Sequence, residues 1–292
     1  MRLLSVVLCL CAALSGASRV APVAPLRVLP PLTLAGGDLP RFAHPNAVAS
    51  LGLRTAALFD SRLLKEAAGP MFGPALDQMM AELRRIEMVH VSVAAPVKTG
   101  GEPDILVLLE GDFRGPTPKF LEQSRGMPAY RIGTRLILLG QPASAAAAHA
   151  RLAATGTASE LPVADFWLKA DLSQLPPLPA NEMVKGLSLK DLKSVALTVS
   201  MKDDLVMDAK LETADTAAAE KVLALLKNAM NKAEAPTEGV ELVADGAAVR
   251  MAARMKQADL EASMKKAMAV RKAAVPPPPP PRKPTVWGLT NN

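Results

Sequence analysis

The sequence predicts an α+β fold in which mostly antiparallel sheets carry helices packed on one face. Three observations lead there. Residues 192–232 read as a strand, a tight turn, a second strand and an amphipathic helix. Apolar residues elsewhere recur with period 2 in short runs and with the helical period in longer ones. The order strand-strand-helix-strand-strand-helix occurs at residues 86–154 and again at 192–271, each time after one further strand. That shared order predicts a duplicated ββαββα unit, with copies at 49–158 and 159–272.

The chain has 292 residues, 50% hydrophobic but only 3% aromatic. This is enough apolar material for one large or two small cores. Alanine supplies much of it, so helix and sheet must pack without large aromatic anchors.

Residues 1–17 have the layout of a secretory signal peptide. Arg2 supplies the positive start, residues 3–14 the apolar segment, and Ser15-Gly16-Ala17 a small-x-small cleavage site. The apolar run falls short of the ~20 residues that a membrane-spanning helix needs, which argues against an uncleaved anchor. Cys9 and Cys11 each follow a leucine, which argues against a lipidated cysteine. Both cysteines lie inside the cleaved segment, so the mature chain is expected to have no disulfide, thiol nucleophile or thiolate metal site. The expected destination is periplasmic or extracellular, with no transmembrane span in the mature chain.

Residues 18–48 contain six prolines and Gly36-Gly37, the composition of an extended or disordered leader. A first strand follows at 49–59. A helix capped by Asp60 or Ser61 comes next, broken by Gly69-Pro70 and Gly73-Pro74. Leu76, Met79, Met80 and Leu83 then share one helical face. Such a methionine face could bind promiscuously, but gap-filling core is the commoner use. Strands at 86–94 and 104–113 flank the flexible Lys98-Thr99-Gly100-Gly101. The second is apolar on both faces, as a covered central strand would be. A short helix at 117–123 precedes a hairpin of 129–132 with 135–139 through Gly133-Thr134, and an alanine-rich helix at 143–153.

The second copy opens on a strand at 161–171 carrying Phe166 and Trp167, then a proline-rich bend at 175–179. In the strand pair after it, register sets the turn. A loop of Lys202-Asp203-Asp204 places Val199 opposite Met207 and aligns the apolar rows, whereas a two-residue loop mixes the faces. Asp204 is then expected near the left-handed region. Ala219, Val222, Leu223, Leu226 and Met230 form the stripe of the helix. Asp245-Gly246 predicts a type I′ hairpin with Leu242 opposite Val249 and Glu241 opposite Arg250. A last helix from Gln257 carries Leu260, Met264 and Met268.

The chain ends on an unbroken run of Pro276, Pro277, Pro278, Pro279, Pro280 and Pro281, then Arg282, Lys283, Pro284 and Trp287. The run forms a stiff polyproline II rod. From Lys256 onward there are seven basic and two acidic residues, so the net charge of +6 gathers at this end. These residues are the candidate interaction site, a tether for an acidic envelope surface or a protein partner. The competing reading is an unstructured tail with no specific role.

No residue presents itself as catalytic, cofactor-binding or metal-ligating. His44, His90 and His149 lack a second histidine or carboxylate at ligand spacing. His90 alternates with Val89 and Val91 and is expected to face away from them as a surface or edge histidine. Nucleophile-elbow and phosphate-loop motifs are missing. Glu110 and Asp112 share a strand face, but a solvated strand end explains them, and the same holds for Asp165 and Asp171. Basic residues without interleaved aromatics make a poor nucleic-acid surface.

The phrases DILVLLEGDF, YRIGTRLILLGQP and LVMDAKLETADTAAAEKV resemble exported bacterial proteins of uncharacterised function that repeat a sheet-and-helix unit. The likeness spans residues 50–270 and implies no activity. The expected function is therefore that of an exported, non-enzymatic binding or scaffold protein of the bacterial envelope or exterior. The alternatives are a carrier of an apolar ligand held between helices and sheet, and, less favoured, a hydrolytic enzyme.

Overall fold

In the computed structural model the period-2 runs pair edge to edge into one eleven-stranded sheet. The structure describes residues 26–32, 39–56, 84–96, 102–115, 127–154, 162–174, 191–201, 204–232, 239–256 and 258–259. In chain order the strands are β1 (Arg27–Leu29), β2 (Ala47–Arg54), β3 (Ile86–Ala94), β4 (Asp104–Gly111), β5 (Ala129–Ile132) and β6 (Leu136–Leu139). They continue as β7 (Phe166–Asp171), β8 (Leu192–Ser200), β9 (Asp204–Thr213), β10 (Val240–Asp245) and β11 (Ala248–Lys256). Helix α1 (Pro142–Ala153) follows β6, and α2 (Thr216–Lys232) follows β9. A short 3-10 helix, Leu39–Phe42, precedes β2. Across the sheet the order is β1-β5-β6-β4-β3-β2-β7-β8-β9-β11-β10. Among the described strands only β1 and β5 run parallel.

The two described helices cover opposite faces. Leu211, Val195, Ala170, Ala49, Val93 and Ile105 lie in one cross-strand row and so share a face. Helix α2 packs on that face, with Ala219 and Val222 against Val249 and Leu192. Helix α1 lies on the other, with Ala145, Ala148 and Leu152 against Leu106, Leu108, Tyr130 and Leu138. This corrects the expectation of helices on one face. The reason is in β4, whose Ile105, Val107 and Leu109 point one way and Leu106 and Leu108 the other. Both faces therefore need cover.

Each side of the sheet has the same internal order. From the centre outward, β2, β3, β4, β6 and β5 match β7, β8, β9, β11 and β10. The seam is an antiparallel pairing of β2 with β7, from Ala49 opposite Ala170 to Leu53 opposite Phe166. Finer details match too. A bulge at Glu87 separates Ile86 from Met88 in β3, and one at Lys193 separates Leu192 from Ser194 in β8. Met88 faces Glu110 and Ser194 faces Glu212, each preceded by a leucine. Behind the bulges Asp112 N–H donates to the Arg85 carbonyl at 2.8 Å, and Ala214 N–H to that of Asp191 at 2.9 Å. Gly133 and Gly246, at φ +60° and +58°, open the two outer hairpin loops.

Turn chemistry departs from expectation in three places. The β10–β11 loop is Gly246-Ala247, so Leu242 faces Met251, and Glu241 faces Ala252 instead of Arg250. Glycine takes the first loop position, the one needing positive φ. The second residue's carbonyl is held by both N–H and Oγ1 of Thr213 at 2.9 Å. The β5–β6 loop has three residues, and Arg135 leaves the strand to grip Glu87 at 2.7 and 2.9 Å. Between β8 and β9 the pairing of Val199 with Met207 is the one a three-residue loop requires. Lys202 and Asp203 lie outside the described residues, and Asp204 opens β9 as a strand residue opposite Lys256 instead of closing the turn.

Part of the expected leader is structured. Strand β1 pairs with β5, and Leu39 and Phe42 enter the core beside α1. Its prolines do not prevent this: Pro30 and Pro31 follow β1, and Pro40 sits early in the 3-10 turn, where an N–H has no partner to lose. The first strand runs from Ala47 instead of 49, and β7 starts only at Phe166. The expected helices at 61–83 and 117–123 lie outside the described residues, as do the methionine face, the signal peptide and most of the helix from Gln257.

Helix α2 starts where Asp215 Oδ1 accepts the Ala218 N–H at 2.8 Å, an N-cap that satisfies one orphan donor. Asp215→Ala is expected to cost about 1 kcal/mol in thermal unfolding.

Candidate functional site

The residues singled out by sequence do not converge. Pro276 to Pro281, Arg282, Lys283 and Trp287 lie outside the described residues. Asp112 is taken by Arg114, whose hydrogen bonds at 2.8 and 3.0 Å hold its carboxyl well below the usual carboxylate range. Glu110 reaches Arg135 at 3.5 Å. Asp165 accepts the Met201 N–H at 2.6 Å, and Asp171 is bound by Ser173 and Gln174. His90 does face away from the valine row, but it is 1% exposed and not a surface residue. The 3-10 turn covers it, with the Phe42 ring 6.0 Å away. Burial pushes its pKa down to about 4, and neither ring nitrogen has a hydrogen-bond partner among the described residues.

A partly buried polar cluster lies beside it. The His44 N–H donates to Ser92 Oγ at 3.0 Å, and His44 Nδ1 lies 3.1 Å from the same oxygen. His44 Nε2 is 3.3 Å from Asp104 Oδ2 but off the hydrogen-bond direction. Ser144 Oγ of α1 donates to that carboxylate. The residue types are those of a nucleophilic triad, but the geometry is structural. Ser92 is 0% exposed in mid-strand, and a backbone N–H already occupies its oxygen. The cluster ties the segment before β2 to β3, β4 and α1.

The exposed chemistry lies on the other side of the seam. On the face opposite α2, strands β9, β11 and β10 present Asp208, Lys210, Arg250, Arg254, Glu241 and Asp245. Together with Thr198 of β8 most of these line a shallow trough of about 690 Å³. A second depression of about 380 Å³ continues it, sharing Asp208, Glu241 and Ala252. Lys210 pairs with Glu212 at 2.7 Å, Arg250 with Asp245 at 2.8 Å, and Arg254 with Asp204 at 3.0 Å. The Lys210 hydrogen bond, then that of Ser194, holds the Glu212 carboxyl below its ordinary value. Asp208 and Glu241 flank Ala252 from the two neighbouring strands, and neither side chain makes an ion pair or hydrogen bond among the described residues. Exposed pairs of this kind are worth ~0–1 kcal/mol each, so an incoming charged group can replace a partner at little cost.

Sequence reasoning passed over this surface. The alternation of Asp208, Lys210 and Glu212 in β9 is that of a solvated face, but nothing local says that β11 inserts between β9 and β10 and gathers the charges. Among the described residues no three His, Cys, Asp or Glu side chains group as metal ligands. No described helix is long and apolar enough to cross a membrane. No family model, curated protein or solved structure matches the chain.

Proposed function

We propose that this is an exported, non-enzymatic binding or scaffold protein, built from two copies of one strand-and-helix unit. The second copy's charged face holds the partner, and the basic proline-rich tail attaches the protein to an acidic envelope surface. The duplication reading draws on the matched strand order, bulges and turn glycines. The route of export draws on residues 1–17.

One observation carries the binding reading. Aligned on the bulges and turn glycines, the positions of Leu106, Leu108, Tyr130 and Leu138 correspond to those of Asp208, Lys210, Val243 and Arg250. The first set is buried under α1; the second is exposed. Three of these four positions carry charges where apolar side chains would have extended the core. The second unit thus keeps the sheet but offers its face to another molecule. Ionic side chains around a trough suit a polar partner better than an apolar ligand.

The test is capture from envelope extract by immobilised full-length protein and by an Asp208→Lys, Lys210→Glu variant. The variant is expected to keep the native circular dichroism and retain at least fivefold less of the bound material. Equal capture would remove the face from consideration. A chain lacking residues 273–292 tests the tail separately: unchanged retention on acidic vesicles would count against its role.

A further inference from the structure

We infer that the outer edge of β10 is a docking site for an extended segment of a partner polypeptide with the pattern basic-x-apolar-x-basic. The inference rests on the binding reading above and names the partner's chemistry. Strands β5 and β10 occupy matching places in the two halves, each the fifth strand from the seam. On β5 that place is filled. Strand β1 lies parallel to it, with Arg27 beside Tyr130 and Leu29 beside Ile132. The Arg27 guanidinium stands 5.9 Å from the centre of the Tyr130 ring, which is 5% exposed. On β10 the position matching Tyr130 is Val243, 44% exposed. No described strand pairs with this edge. A sheet edge presents unpaired N–H and C=O groups, and an added strand satisfies them.

The side chains of β10 select what fits. On the trough face Glu241, Val243 and Asp245 alternate; on the helix face stand Val240, Leu242 and Ala244. A strand in the register that β1 takes on β5 sets one side chain beside Val243. The residues two before and two after then lie beside Glu241 and Asp245. Basic residues there complement two carboxylates, one of them without a described partner, and an apolar residue between them covers Val243. The intervening x residues face the apolar row of Leu242 and Ala244 and are apolar too.

Two other occupants fit worse. Antiparallel pairing of β10 with a second copy of itself gathers Glu241 and Asp245 of both chains on one face, like charges that destabilise a ladder. Strand β1 of another copy would set Leu29 against Asp245.

The experiment uses the full chain and two fluorescein-labelled decapeptides, one containing Lys-Val-Leu-Val-Lys and a twin containing Glu-Val-Leu-Val-Glu. Anisotropy is expected to show at least tenfold tighter binding of the lysine peptide, weakening as salt is raised. Glu241→Lys with Asp245→Lys, both exposed changes, should invert the preference. Backbone amide exchange of Val240, Leu242 and Ala244, whose N–H groups point away from β11, should slow when the lysine peptide binds. Equal binding of the two peptides overturns the proposal. So does peptide binding without protection of these three outward amides, which would place it on the face of the trough. Strong protection of the outward amides of Val240, Leu242 and Ala244 before peptide is added also overturns it, because the chain itself or a second copy then holds the edge. The Asp208 and Lys210 variant separates the two ideas. It should still bind the lysine peptide at the edge, even where it loses its extract partner.

Discussion

Gly52→Ala is expected to destabilise the protein by about 3 kcal/mol, the upper end of overpacking costs. Gly52 sits opposite Trp167 in the seam between β2 and β7. A Cβ there would stand 2.1 Å from Trp167 Nε1, 2.4 Å from Cε2 and 2.9 Å from Cζ2. No carbon approaches an indole so closely, so the ring must leave its place or the seam must open. The ring is 8% exposed and has nowhere to swing without displacing core. Its Nε1 is buried without a hydrogen-bond partner, so a smaller apolar residue at 167 sacrifices no bond. Trp167→Leu combined with Gly52→Ala is therefore expected to recover much of the loss, a coupling that a general effect of alanine could not produce. Urea unfolding followed by far-ultraviolet circular dichroism, which needs no tryptophan, measures both. An unchanged midpoint for Gly52→Ala would show that the indole does not occupy the seam.

The second large effect is on acid stability. His90 titrates at about 4 in the fold against an ordinary value of 6.5. Burial favours the neutral ring, so the unfolded chain takes up the proton first. Stability from this residue is complete above pH 6.5, falls as pH drops from 6.5 to 4, and is level below. The total is about 3 kcal/mol. Other groups also titrate in this window, so the informative quantity is the difference between the native chain and His90→Leu. Leucine has no ring nitrogens to bury, so the variant is expected to match or exceed native stability at pH 5. Near pH 7.5 the two should lie within about 1 kcal/mol. Denaturant unfolding at pH 7.5, 5.5 and 4.5 provides the comparison. Parallel pH profiles would mean that His90 is solvated in the native protein.

Much of the fold was legible because its strands advertise their faces. Val195, Leu197 and Val199 against Leu205, Met207 and Leu211 gave both strands and their register, and the stripe from Ala219 to Leu226 gave α2. Helix α1 followed from Pro142 and the alanines after it. What was not legible was non-local. Antiparallel pairing of β2 with β7 joins the halves into one sheet, and no residue near either strand encodes it. The place of β1 was hidden by its prolines and by its brevity, since three residues show no period. The two-sided cover of β4 was half visible: its apolar runs were read, but not that α1 and α2 must then take opposite faces. His90 was misjudged for a related reason. Alternation says which way a side chain points but not what lies over it, and Phe42 comes from a segment remote in sequence. The charged face was readable strand by strand and unreadable as a surface.

The seam also bears on how the chain is made. Strand β2 leaves the ribosome early, and β7 follows more than a hundred residues later. Until then one edge of β2 has no partner, and its Val48, Leu51 and Leu53 belong to a strand as sticky as any in the finished core. A nascent first half is thus a sheet with an open apolar margin, the kind of intermediate that sticks to its neighbours. A chain held unfolded until it is complete never presents that margin. Slowing synthesis between residues 94 and 166 should raise aggregation more than the same pause placed after residue 200.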